Sequence, residues 1–186
     1  MKFHFVDLDP DVVASLEKAF SDFPEVSVSC GDILKIAEIC VVSPANGHGY
    51  MDGGVDAAYR RHFGQKLEDK VRDAIAARPE GHLPVGASIV VATEDKKIPF
   101  MIVAPTMLMP EAVSASHSAR AMRAILRAQA SHASVLTSVF CPGLATGVGG
   151  VSPDEAAAAM ASAYRDARKE PIQSITDNGR AAPGRV

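Results

Sequence analysis

The sequence predicts an α/β fold: a three-layer α/β/α sandwich around a mixed, mostly parallel central sheet. Short apolar runs of β type alternate along the 186 residues with segments of helical spacing, the pattern of a sheet covered on both faces. Two of those runs stop at glycine-rich loops that lead straight into helix starts, at Ser43–Asp56 and Cys141–Ser152. A hydrophobic content of 47% with 22% charged residues is globular composition in a chain long enough to bury a core.

Each element has its own signal. Met1 to Asp7 reads as a first strand, because an acid arrives too early for a signal peptide. Asp9-Pro10-Asp11 places an N-cap acid before a proline at the first helical position, and Val12, Val13, Leu16, Ala19 and Phe20 follow at helical spacing until Phe23-Pro24. Val26 to Cys30 alternates as a half-buried strand and runs into Gly31-Asp32-Ile33. A buried strand over 39–43 delivers Asn46 to the first loop. Val55, Ala58, Tyr59, His62, Phe63, Leu67, Val71 and Ile75 then repeat with helical period across an interruption at Gly64, so one broken helix or two is expected. Ala87–Ala92 and Phe100–Ala104 bracket the polar turn 94–97 and read as two central strands. From Ser114 to His132 a stripe of Ala115, Ala119, Met122, Ile125 and Leu126 predicts a helix, with Arg120, Arg123 and Arg127 on a solvated opposite face. A last strand over 135–141 precedes the second loop, and Ser152-Pro153-Asp154-Glu155 is a capping box that starts the final helix at Pro153. One domain over residues 1–170 accounts for these elements, with 171–186 expected as a flexible tail that lacks periodicity.

Composition excludes several classes. No window approaches the ~18 apolar residues of a membrane span. Three cysteines without a C-x-x-C pair argue for reduced thiols, hence a cytoplasmic location and no disulfide frame. The six histidines lack metal spacing, so neither metal nor cofactor is expected. A net charge of −3 gives no footprint for nucleic acid. Cys141 has no His-Asp partner pattern, which leaves a cysteine hydrolase a distant reading.

The loops suit a compact anion. Gly53 and Gly54 let backbone N–H groups approach a ligand, and a helix start adds unpaired donors with partial positive charge. The spacing is neither G-x-G-x-x-G nor a Walker loop, and a plain tight turn would use the same residues. Two such loops at strand ends suggest one ligand between them.

Val41-Val42-Ser43-Pro44-Ala45-Asn46 followed by Gly53-Gly54-Val55-Asp56, with Gly31-Asp32-Ile33 before and Ala145-Thr146-Gly147-Val148 after, resembles the macro domains. The resemblance implies a domain whose partner is ADP-ribose or an ADP-ribosylated protein, with adenine near Asp32 and Ile33. It puts the diphosphate on Gly53, Gly54, Val55 and the amides of Thr146, Gly147 and Val148, with Ala145 and Gly149 also among the ligand-binding residues. Some members hydrolyse at the distal ribose C1″; on that pattern Asn46 orients the sugar and Asp56 handles water. Asp56 read by itself is equally a first-turn acid stabilised by the helix dipole, and Asp32 a turn-forming Asx residue. The chain departs from the family at Ser43, which replaces an asparagine, at Met51-Asp52, which replace glycines, and at Gly149, which replaces an aromatic. Asp52 beside a diphosphate would cost about 4 kcal/mol at ~4 Å and an effective dielectric near 20. It is therefore expected to point away or toward the ribose as a second acid or base, with Tyr50 standing in for the absent aromatic. The competing expectations are a reader without turnover and a module for another nucleotide or a nucleic-acid end.

Overall fold

The computed structural model describes residues 2–169; the expected tail lies outside them. Six strands, β1 (Lys2–Asp7), β2 (Val26–Cys30), β3 (Cys40–Ser43), β4 (Ile89–Ala92), β5 (Phe100–Val103) and β6 (Ser138–Cys141), form one sheet in the order β2-β1-β6-β3-β5-β4. Every neighbouring pair is parallel except β4–β5. The helices are α1 (Pro10–Ala19), α2 (Ile33–Ile36), α3 (Gly54–Phe63), α4 (Gln65–Ala76), α5 (Ala115–Ser131) and α6 (Pro153–Lys169).

The strand alternation sorts the core into two. Phe3, Phe5, Cys40, Val42, Ile102, Val139 and Cys141 pack with α1, α5 and α6 on one face. Val6, Val41, Met101, Val103 and Phe140 pack with Ile33, Tyr59, Leu67, Val71 and Ile75, from α2, α3 and α4, on the other. Successive side chains on a strand point to opposite faces, so a sheet sandwiched between helices reads as a continuous apolar run, as Val41-Val42 and Met101-Ile102-Val103 do.

One expectation is corrected, one open alternative is decided and one short element is added. β4 and β5 are not both central: β4 is the edge strand, antiparallel to β5, and β6 and β3 occupy the middle. The short connection explains it, since a parallel return needs a crossover of about a dozen residues. The helical stretch after Asp56 is two helices, broken where Gly64 takes φ 88°, a left-handed value that a side chain disfavours. The one-turn helix α2 lies inside a stretch that showed no helical period. Arg120 and Arg127 on the exposed face of α5 donate to the carbonyls of Val85 and Gly86, and Arg123 lies 3.9 Å from Asp166. None of the helices among the described residues is long and apolar enough to cross a membrane.

Candidate functional site

The carboxyl ends of the parallel strands converge on one cleft of about 460 Å³. β6 lies between β1 and β3, so the loop that follows it faces the loops of both neighbours. This is where an open parallel sheet leaves a crevice. The cleft is lined by Asp32, Ile33, Asn46, Tyr50, Asp52, Gly53, Gly54, Val55 and Asp56, and by Ala145, Thr146, Gly147, Val148 and Gly149. The fourteen residues singled out by sequence thus share one cavity.

One wall is the start of α3. Gly53 is its N-cap, and no side chain caps the helix. Its first N–H groups have no acceptor within the helix, and they carry the positive end of the dipole. A Cβ added at Gly53, Gly54 or Gly147 would meet nothing within 4 Å, so the space in front of these residues is open. Gly54 also takes φ 54°, which favours glycine.

The loop over residues 44–53 is fastened by side chains. Asn46 is buried; its Oδ1 accepts from the N–H groups of His48 (3.1 Å) and Tyr50 (3.3 Å), and its Nδ2 donates to the Tyr50 carbonyl (3.1 Å). With both oxygen lone pairs engaged, what the amide still offers is its second N–H, a donor. Met51, read as a departure, is fully buried in the core beside α3 and α4, and its N–H donates to Glu68 (3.2 Å). Glu68, itself buried, also takes the Arg60 guanidinium at 3.0 Å and the Gln65 amide at 3.0 Å. Thr106 hydroxyl donates to the Pro44 carbonyl (3.1 Å), and the Gly47 N–H donates to Met107 (2.8 Å).

Two carboxylates stand at this wall in different settings. Asp52 is exposed at the mouth. Asp56, in the first turn of α3, is buried and accepts from the Ser43 hydroxyl at 2.6 Å. Burial pushes its carboxyl up to about 7, helped by the charge of Asp52 and opposed by the Ser43 hydrogen bond. Tyr59, one turn on, is also buried, and its hydroxyl donates to the Val42 carbonyl at 3.1 Å.

The opposite wall, residues 142–150, is held at its base by side chains of β1 and α5, the Ser118 hydroxyl donating to the Leu144 carbonyl (2.8 Å), and beyond Leu144 by main chain. Asp7 accepts from the Gly143 N–H (2.9 Å), Val151 donates to Ala145 (3.1 Å), and Val113 donates to Gly149 (2.9 Å). Gly149 stands where the family has an aromatic for a packing reason: a Cβ there would sit 2.6 Å from the Ala145 carbonyl. Tyr50, expected to replace that aromatic, lines the cleft but is 41% exposed, with the Arg72 guanidinium 4.6 Å from its ring centre. Asp32 caps α2 by accepting from the Leu34 N–H (3.0 Å), which is the Asx role, while its side chain stays partly open to the cleft.

Sequence reasoning missed Asp7, Leu8, Arg61, Thr106, Met107 and Pro110 in the lining. Arg61 was legible: Gly54, Ala58 and Arg61 follow the i, i+4, i+7 spacing of one helix stripe. Among the described residues no group of His, Cys, Asp or Glu is arranged to hold a metal. Cys141 is buried and its thiol pushed well up by burial, which leaves it a poor nucleophile.

A family model described as Macro domain matches residues 42–160. An uncharacterized protein of Aquifex aeolicus is 32% identical over 152 residues, 81% of this chain and 87% of the relative. The macrodomain of Mycobacterium tuberculosis DarG is similar in fold, with a TM-score of 0.64 at 20% identity over 75% of this chain and 89% of that one. A mutant Oceanobacillus iheyensis macrodomain with ADPR has a TM-score of 0.63 at 24% identity, over 73% and 74%. The matched segment runs from β3 through both walls of the cleft into α6, and the chain belongs to the macro domain family.

Proposed function

We propose that this domain binds ADP-ribose in the cleft and releases it from modified proteins by hydrolysis at the distal ribose C1″. The observation that carries the reading is the uncapped start of α3, whose open glycines present N–H donors beside a carboxylate that titrates near neutrality. The first part suits a diphosphate; the second suits a chemical task, because a carboxylate beside an anion opposes binding. A cleft of about 460 Å³ is within the usual range for a ligand of this size.

Adenine lies toward Asp32 and Ile33, the diphosphate between Gly53–Val55 and Ala145–Gly149, and the distal ribose toward Asn46 and Tyr50. The free N–H of Asn46 donates to a ribose hydroxyl. Asp56 takes a proton from water as its oxygen bonds to C1″. The bond from C1″ to the modified side chain breaks with its electron pair on the leaving oxygen. Asp56 returns the proton to that oxygen, so ADP-ribose and the free side chain result. Asp52, at the mouth, is the alternative base.

Calorimetry with ADP-ribose, ADP and AMP tests binding, and release from mono-ADP-ribosylated proteins and O-acetyl-ADP-ribose tests turnover. Asp56→Ala is expected to lose about 10²–10⁴-fold in rate while binding ADP-ribose. Binding without release by the wild type would make the domain a reader, and absence of heat with ADP-ribose would remove the proposal entirely.

A further inference from the structure

Ser43 ends β3, and its side chain faces α3, as the strand alternation requires of the residue two after Val41. It is 1% exposed, and its hydroxyl donates to Asp56 Oδ1 at 2.6 Å across the junction of sheet and helix. Asp56 lines the cleft nonetheless. With one carboxylate oxygen held from behind, the other is the one left to face a ligand. Resting on the hydrolytic reading above, we propose that Ser43 is a positioning residue: its hydroxyl fixes the orientation of Asp56 and keeps that carboxylate a proton acceptor toward the cleft.

The surroundings of Asp56 support the assignment in two ways. First, few other groups can do the work. The charged or titratable side chains that act on Asp56 are Asp52 from the preceding loop and Tyr59 one turn along α3. Asp52 has the same sign, and the Tyr59 hydroxyl is committed to Val42. Asp7 on β1, Cys40 on β3 and Cys141 on β6 reach Tyr59 rather than Asp56. Second, burial and Asp52 both favour the protonated acid, and the Ser43 hydrogen bond opposes them. Without it more of Asp56 would carry its proton at neutral pH, leaving less carboxylate to accept one from water. The serine that departs from the family pattern is thereby given a role.

The test needs no substrate at first. In the full chain, the Asp56 carboxyl is followed by carbon-detected NMR against pH in wild type, Ser43→Ala, Ser43→Cys and Ser43→Thr. Wild type should inflect near neutrality. Losing a hydrogen bond to the charged form should move the inflection up by about 1–2 pH units in Ser43→Ala and by less in Ser43→Cys, with Ser43→Thr close to wild type. The acid limb of the release rate should move by the same amount. If Ser43→Ala does not fold, the Thr and Cys pair carries the comparison. An unmoved inflection in a folded variant that lacks the hydroxyl overturns the proposal. A moved inflection with no release by any of the proteins supports the Ser43–Asp56 link and overturns the hydrolytic reading instead.

Discussion

The two walls of the cleft are built by different means. The wall over residues 44–56 is braced by side chains: Asn46 ties down 48–50, Met51 is sunk in the core, and Glu68 with Arg60 grips its backbone. The wall over 142–150 is held at its base by two side chains, Asp7 on the Gly143 N–H and Ser118 on the Leu144 carbonyl, and beyond Leu144 by main chain, with its apex open, Val148 being 60% exposed. The first wall carries the carboxylates and the amide, groups that must be aimed. The second contributes backbone N–H groups, which glycine geometry alone can present. The stretch that offers side-chain groups is thus tied down by side chains, whereas the stretch 145–150, which offers N–H groups, is tied down by main chain.

The contrast can be broken at three strengths. The largest effect belongs to Asp56. A carboxyl raised from its ordinary 3.8 to about 7 by folding contributes stability below the lower value, and that stability is lost as pH rises through the higher one. Between pH 4.5 and 8 the wild type should lose roughly 3 kcal/mol that Asp56→Asn does not. Urea unfolding at pH 4.5 and 8 checks it, and parallel pH dependence in the two proteins would refute it. Next comes Glu68→Ala, which leaves the buried Met51 N–H without its acceptor. About 1–3 kcal/mol should be lost, toward the lower end because the Arg60 side chain is 44% exposed and water can replace its partner. Release of ADP-ribose should fall with it as the loop loosens. Val148→Ala on the other wall should alter stability by less than about 0.5 kcal/mol, and any effect should be confined to ligand affinity.

Much of this was legible in the chain. Alternation of periods two and 3.6 gave the layers, and the glycines with their helix starts gave the two walls. Two things were not legible, for physical reasons. Strand order depends on which helices cover which face, so the edge position of β4 could be inferred only by weighing the length of the 93–99 connection against the crossover a parallel strand needs. Long-range polar pairs leave no local pattern: Ser43 lies 13 residues from Asp56, and Met51 lies 17 from Glu68. Met51 looked like a mere departure because glycine was expected there, and its reason is the apolar space under the loop. Arg61, by contrast, shared a visible helix stripe with Gly54 and Ala58.

The central claim is that one ligand is held between these two walls, and an amide NMR titration of the full chain with ADP-ribose tests it most directly. The account predicts saturable shifts at Gly53, Gly54 and Val55 on one side and at Gly147 and Val148 on the other, on a single binding curve together with Asp32. Shifts confined to one wall, shifts centred instead on the second hollow around His62, Lys66 and Asp95, or no shifts at millimolar ligand would contradict it.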